Sequence, residues 1–273
     1  MGPTHSVTKF IAFLVLLVAI AAGVAWYQLR SRLGLPLTQS AAAKPAAADD
    51  SWLSDLYSQN PRDIEKGTAK VNALGSKALP QIQATLRDPA SEHNHRRAAL
   101  RAAGILGVAA APALPEVAAA LPVPDLTADA AMALSFMGPT AFEPLRQAVT
   151  SPDAVVRRES LRSLGKLRFR APIASDEVLP LLLDAMPDPD PTVRAVAATY
   201  LGILHEQGPQ SVPLLTVALN DPDPAVRRAS ASALGAFGSD AAPALPALKK
   251  ASADPDPDLA REAGRAIVAI SGK

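Results

Sequence analysis

The stretch NDPDPAVRRASASALG at residues 220–235 has several relatives within the same 273-residue chain. LLLDAMPDPDPTVRAVAATYLG begins at residue 181 and ALKKASADPDPDLAREAGRAI at 247. Weaker copies are TLRDPASEHNHRRAALRAAG at 85–104 and AVTSPDAVVRRESLRSLG at 148–165. Taking the slot of Gly235 as register mark, the matching residues are Gly104, Ser135, Gly165, Gly202, Gly235 and Val268, at spacings of 31, 30, 37, 33 and 33. A near-constant period in this range marks stacked supersecondary units, each too small to bury its own apolar face.

The register predicts one helix per unit. The slot of Val226 holds His95, Leu126, Val156, Val193, Val226 and Leu259, and the slot of Ser230 holds only Ala or Ser. The slot of Leu234 holds Ala103, Leu134, Leu164, Leu201, Leu234 and Ile267, and that of Phe237 holds Leu106, Met137, Leu167, Leu204, Phe237 and Ile270. These slots fall at i, i+4, i+8 and i+11, one stripe of an α-helix. An earlier helix is expected before each Asp-Pro turn, in KALPQIQATL (77–86), APALPEVAAAL (111–121), EVLPLLLDAM (177–186), SVPLLTVAL (211–219) and APALPALKKA (242–251). The proline near each start is tolerated because the first helical turn has no intrahelical use for its N–H. A half-like unit at 51–75 is expected to cap one end of the stack, and helix 259–270 the other.

The pattern L-N-D-P-D-P-x-V-R-x-A-x-x-A-L-G resembles the HEAT-repeat family in its bacterial HEAT-like form, as in the bilin-lyase-type repeats. The resemblance covers roughly residues 51–273. It implies an all-α chain, a right-handed α-solenoid of about six to seven HEAT-like helix pairs, with the second helices lining a concave surface. It also implies an inter-repeat ladder between the turn aspartate and the first arginine six residues on, placing Asp188 with Arg194 and Asp221 with Arg227. Arg96 and Arg157 hold the same arginine slot, while Thr127 and Ala260 interrupt it. From the residues themselves, the aspartates suit helix N-caps and turns and complement the helix dipole. A calcium loop is disfavoured, because the alternating prolines leave no glycine-containing turn rich in oxygen ligands.

Residues 10–29, FIAFLVLLVAIAAGVAWYQL, carry no charge and are long enough to cross a bilayer as a helix. Lys9 precedes them, Arg30 and Arg32 follow, and Trp26 and Tyr27 stand at an interfacial position. The chain is therefore expected to comprise a tail (1–9), a single-pass N-terminal membrane anchor (10–29), an Ala/Pro-rich linker (30–50) and the repeat solenoid (51–273). A cleaved signal peptide, with Gly23-Val24-Ala25 as the cleavage site, is the alternative. The positive-inside count nearly cancels, and the repeat domain is expected on the exported, periplasmic side.

Charge and composition narrow the function. The chain has 27 Lys plus Arg against 26 Asp plus Glu. Lys9, Arg30, Arg32 and Lys44 lie in the first 48 residues, which hold no acid, so the body is slightly acidic. That excludes general nucleic-acid binding, which needs a net basic surface, and 4% aromatics leave few stacking platforms. No cysteine is present, so thiolate zinc sites and cysteine nucleophiles are excluded. His93 and His95 beside Glu92 read as a solvated turn, with no second ligand cluster at metal spacing. His205-Glu206 invites comparison with the HEAT-like deoxyhypusine hydroxylases, which bind iron through repeated His-Glu pairs. The corresponding positions here are Arg158-Glu159 and Arg261-Glu262, so that metal set is absent. Neither cofactor nor catalysis is expected, and a metal-dependent or cofactor-modifying enzyme on the same scaffold is the alternative.

The second helices also share polar slots off the apolar stripe. Arg97, Arg158, Arg228 and Arg261 share one slot, and Arg101, Arg162 and Arg265 share the slot one turn later. Together they are expected to form a patchy basic strip. Arginine forks bind carboxylates bidentately, so an acidic segment of a protein partner is the expected ligand. The plainer reading is a solvated face partly neutralised by Glu159 and Glu262. KLRFRAPIASDEV at 166–178 departs furthest from the period and is expected to be a loop, with Phe169 and its flanking arginines a secondary contact. The sequence points to a membrane-tethered protein-interaction scaffold and leaves its oligomeric state open.

Overall fold

Each of the three Asp-Pro-Asp-Pro turns is a starting device for a helix, and its two aspartates do different work. In the computed structural model, which describes residues 51–170 and 175–272, the second aspartate of the turn is the N-cap. Asp190 accepts from Thr192 N, Asp223 from Ala225 N and Val226 N, and Asp256 from Asp258 N and Leu259 N, with Pro191, Pro224 and Pro257 opening the helices behind them. The first aspartate folds the turn: Asp188 accepts from Asp190 N at 2.8 Å, Asp221 from Asp223 N at 2.9 Å and Asp254 from Asp256 N at 2.9 Å.

The described residues hold fourteen α-helices and no strand. α1 (Ser51–Tyr57) and α2 (Pro61–Leu74) form the N-terminal pair. Six pairs follow: α3 (Leu79–Arg87) with α4 (His93–Leu106), α5 (Leu114–Ala119) with α6 (Thr127–Leu134), and α7 (Phe142–Ala148) with α8 (Ala154–Arg170). The remaining three are α9 (Ser175–Asp184) with α10 (Pro191–Leu204), α11 (Gly208–Ala218) with α12 (Pro224–Ala236), and α13 (Leu245–Ala251) with α14 (Pro257–Ser271). Each second helix packs on its own first helix and on the second helix of the next unit. This is the one-dimensional stacking of a solenoid. The expected anchor at 10–29 and linker at 30–50 lie outside the described residues.

The predicted stripe is the core. Leu126, Val156, Val193, Val226 and Leu259 are buried, as are Leu134, Leu164, Leu201 and Leu234. The small-residue slot, Ala99, Ala130, Ser160, Ala197, Ser230 and Ala263, is buried throughout. His95 departs from the stripe and is partly exposed.

Small residues also set how closely the second helices approach. A Cβ built on Gly202 would lie 2.6 Å from Ala233 Cα, and one on Gly235 would lie 3.1 Å from Ala266 Cα. The glycine slot of one helix thus faces the alanine slot of the next across bare backbone.

One expectation is corrected. Residues 166–170 are not a loop: α8 runs to Arg170 and α9 begins at Ser175. The reason lies three residues past the glycine slot. There Gly107, Gly138 and Gly238 take φ of 56°, 79° and 55° and end their helical segments, and His205 does so with φ 37°. In α8 that position is Arg168, which stays helical and carries the helix on.

The seam predicts opposite signs for two glycine-to-alanine changes. Gly202→Ala gains roughly 1 kcal/mol in helix propensity but overpacks rigid backbone at a cost of about 1–3 kcal/mol, so the urea midpoint should fall. Gly264, inside α14 with nothing within 4 Å of an added Cβ, should give a raised midpoint when changed to alanine.

Candidate interaction surface

The ladder forms between units, shifted by one unit from the pairing the sequence suggested. Arg157 meets Asp188 of the next unit through two bonds of 2.8 Å, and Arg194 meets Asp221 in the same way. The arginine six residues after each turn aspartate instead clamps that aspartate's own backbone. Arg194 Nη1 donates to Asp188 O at 2.8 Å, and Arg227 Nη1 to Asp221 O at 3.0 Å. Each rung therefore fastens one unit's turn to the helix of the unit before it.

The rungs are bidentate and largely buried. Burial alone pushes the Asp188 carboxyl up, but hydrogen bonds from Arg157 and from the Asp190 N–H outweigh it and hold the group below the usual aspartate range. Asp221 is held down against burial by Arg194 and the Asp223 N–H. Beyond these two rungs the ladder lapses. Arg96 would need an acid where Leu121 stands, and its Nε is buried without a partner. Thr127 takes over the turn clamp in that unit, donating to Leu121 O at 2.9 Å. Arg227 Nε is likewise unpartnered, although Asp254 holds the matching turn position.

The seven arginines of the expected strip line the face of the second helices, and each is already in an ion pair with a carboxylate of this chain. Arg97 Nε lies 2.6 Å from Asp129, and Arg101 lies 3.7 Å from the same group while donating to Leu56 O. Arg158 and Arg162 share Glu159, each at 2.9 Å, and Glu159 is only 7% exposed. Arg228 reaches Asp256 at 3.3 Å, Arg261 reaches Asp258 at 2.6 Å and Arg265 reaches Glu262 at 3.0 Å. Asp129 was not anticipated because it comes from the neighbouring helix, 32 residues on from Arg97.

Two further cations belong to the same face: Lys166, absent from the expected strip, and Arg170, expected only as a loop contact beside Phe169. Lys166 and Arg170 extend the row of Arg158 and Arg162 at four-residue spacing along α8. Reading 166–178 as a loop hid that continuation. Apolar side chains interrupt the face beside them: Met132 is 42%, Phe136 40% and Ile203 46% exposed. Phe169, at the end of α8, is exposed too.

Among the described residues no three His, Asp or Glu side chains are grouped to hold a metal ion. His95 Nε2 lies 3.9 Å from Glu92, and His205 ends α10 in the left-handed conformation while Glu206 pairs with Arg168. A hollow of about 730 Å³ beside α11, lined by Pro209, Val212, Pro213 and Thr216 among others, has Asp240 as its only ionisable side chain.

Comparison with known proteins agrees with this architecture. A sequence model of HEAT repeats matches residues 122–202 and 179–268. No curated protein matches the chain. Among solved structures, importin beta superposes with a TM-score of 0.58 at 14% identity, over 80% of this chain and 33% of its own length, so the chain spans about a third of it. An engineered protein aligns at 18% identity and TM-score 0.44, over 82% of this chain and 96% of its own. A designed armadillo repeat protein aligns at 15% and 0.41, over 81% and 99%.

The rungs predict an acid-sensitive term in stability. Asp188→Ala strands Arg157 in a largely buried site and should cost about 3–5 kcal/mol, read as a lowered urea midpoint. Because Asp188 and Asp221 titrate lower folded than unfolded, their stabilisation is full above the unfolded aspartate value of about 3.9. It is lost as pH falls through the lower folded values. The midpoint should therefore drop more steeply below about pH 4 in the natural chain than in Asp188→Asn.

Proposed function

Because the chain belongs to the HEAT-repeat family, we propose that it is a scaffold that binds other proteins and performs no chemistry of its own. The observation that carries this reading is the face of the second helices. It presents Met132, Phe136 and Ile203 among cationic side chains. Exposed apolar groups rimmed by charge are what a protein-docking surface needs, and repeat stacks offer such surfaces over long stretches. The ligand is an acidic segment of a partner protein, which would share or displace the internal carboxylates that hold the strip of Arg97, Arg101, Arg158, Arg162, Arg228, Arg261 and Arg265.

The tether is residues 10–29, uncharged and flanked by Lys9, Arg30 and Arg32. It holds the scaffold at a membrane with the repeats on the exported side.

Crosslinking in living cells tests the proposal, using the full chain beside a copy carrying Arg158→Glu and Arg162→Glu whose helicity is checked by circular dichroism. Recovery from the membrane fraction of a distinct protein by the natural chain, reduced about tenfold or more by the variant (1.4 kcal/mol), is the expected result. Equal recovery would move binding off the strip. Stoichiometric iron or zinc retained through purification, without any captured partner, would favour an enzyme instead.

A further inference from the structure

Two cations of the second-helix face are held differently from the others. Lys166 and Arg170 rest on apolar and neutral groups rather than on carboxylates. Lys166 Nζ lies 3.6 Å from Met132 Sδ. Arg170 Nη1 donates to Ser135 Oγ at 2.9 Å, and its guanidinium stands 3.8 Å over the Phe136 ring. Among the described residues neither makes an ion pair, and Glu159, the carboxylate nearest in the row, is already committed to Arg158 and Arg162. The Lys166 amine is pushed down by burial and by the charges of Arg162 and Arg170. The row on α8 thus holds four cations against one acid, a local excess that a bound anion relieves.

The same two apolar side chains form a wall of a hollow. Met132 and Phe136 meet Ile64, Leu100 and Ile105 around a space of about 500 Å³. Its remaining charged lining, Arg101 and Asp129, is mutually paired. The site therefore has an apolar floor and a cationic edge, and the two share Met132 and Phe136. A floor of this kind takes a bulky apolar side chain, and an edge with spare guanidinium and ammonium donors takes carboxylates.

Building on the reading of this face as a protein-docking surface, we propose that the hollow and the α8 cations form one docking site for an acidic amphipathic segment of a partner protein. A large apolar side chain of that segment fills the hollow beside Met132 and Phe136. Carboxylates about one helical turn away engage Lys166 and Arg170. The other arginines of the strip flank this site, each paired with a carboxylate of the chain that further acids of the ligand share or displace. A nucleic acid fits less well, because the repeat body is acidic overall and the floor offers nothing to phosphates.

Fluorescence anisotropy on the full chain in detergent tests this with three labelled synthetic peptides of equal length. One alternates glutamate and leucine, one has the glutamates replaced by glutamine, and one has the leucines replaced by serine. The first should bind, and either replacement should weaken binding about tenfold or more, 1.4 kcal/mol. Lys166→Glu with Arg170→Glu should weaken the first peptide about a hundredfold, 2.7 kcal/mol, and Phe136→Ala about tenfold. The cations are partly exposed, and unchanged circular dichroism shows the variants folded. Failure of the first peptide to bind, indifference to either replacement, or stronger binding of a single-stranded oligonucleotide of equal charge overturns the proposal. If Lys166→Glu with Arg170→Glu still captures the cellular partner at the natural level, this site falls while the scaffold reading stands. If the natural chain captures no partner at all, the scaffold reading falls as well.

Discussion

Consecutive second helices meet backbone to backbone, and the rest of the stack is arranged to make that possible. Gly202 against Ala233 leaves no room for a methyl group at the seam, and Gly235 against Ala266 leaves room only for a tight one. The apolar stripe then closes on both sides of it, with Val193, Leu201 and Leu204 on one helix and Val226, Leu234 and Phe237 on the next. Such a seam tolerates little drift along the helix axis, so each helix must start at a fixed height. The Asp-Pro turn fixes that height through its N-cap, and the rungs from Arg157 to Asp188 and from Arg194 to Asp221 fasten the turn to the preceding unit. Removal of one partner would leave a stranded charge in a largely buried site.

The regular units explain the fold, and the irregular ones place the interaction surface. Where glycine usually ends the second helix, Arg168 lets α8 run on and brings Arg170 over Phe136. Ser135 replaces the seam glycine just past the end of α6 and accepts from Arg170. Met132 replaces a polar residue and supports Lys166. Tyr200 takes the place of the seam alanine, and its ring fills the space above Gly165. These departures cluster on neighbouring helices. Clustered breaks in an otherwise consistent pattern are where function is expected to sit.

Helices, register, core and the proline-marked starts were legible in the sequence because they repeat: six copies of a slot average out local accidents. The division of work between the two turn aspartates was not, since both residues satisfy the same preference for turns and caps. Rung partners were misassigned within a unit because Asp188 and Arg194 are near in sequence, whereas Arg157 lies 31 residues before Asp188. The strip arginines were found by their spacing, but their neutralisation by Asp129 and Asp256 depends on contacts that only the stack creates. Lys166 was visible at four-residue spacing and was missed, and Arg170 was expected only as a flank of Phe169, because a break in the period was taken for a loop.

The central claim is that the face of the second helices is where a partner protein docks. It is tested most directly by photo-crosslinking in cells from two single positions on the full chain. One photoreactive side chain replaces Ile203 on α10, and the other replaces Val217 on the first helix α11, which is more exposed. The account predicts a discrete protein adduct from position 203 and none from position 217. An adduct from 217 alone would contradict it and place the docking surface on the first helices.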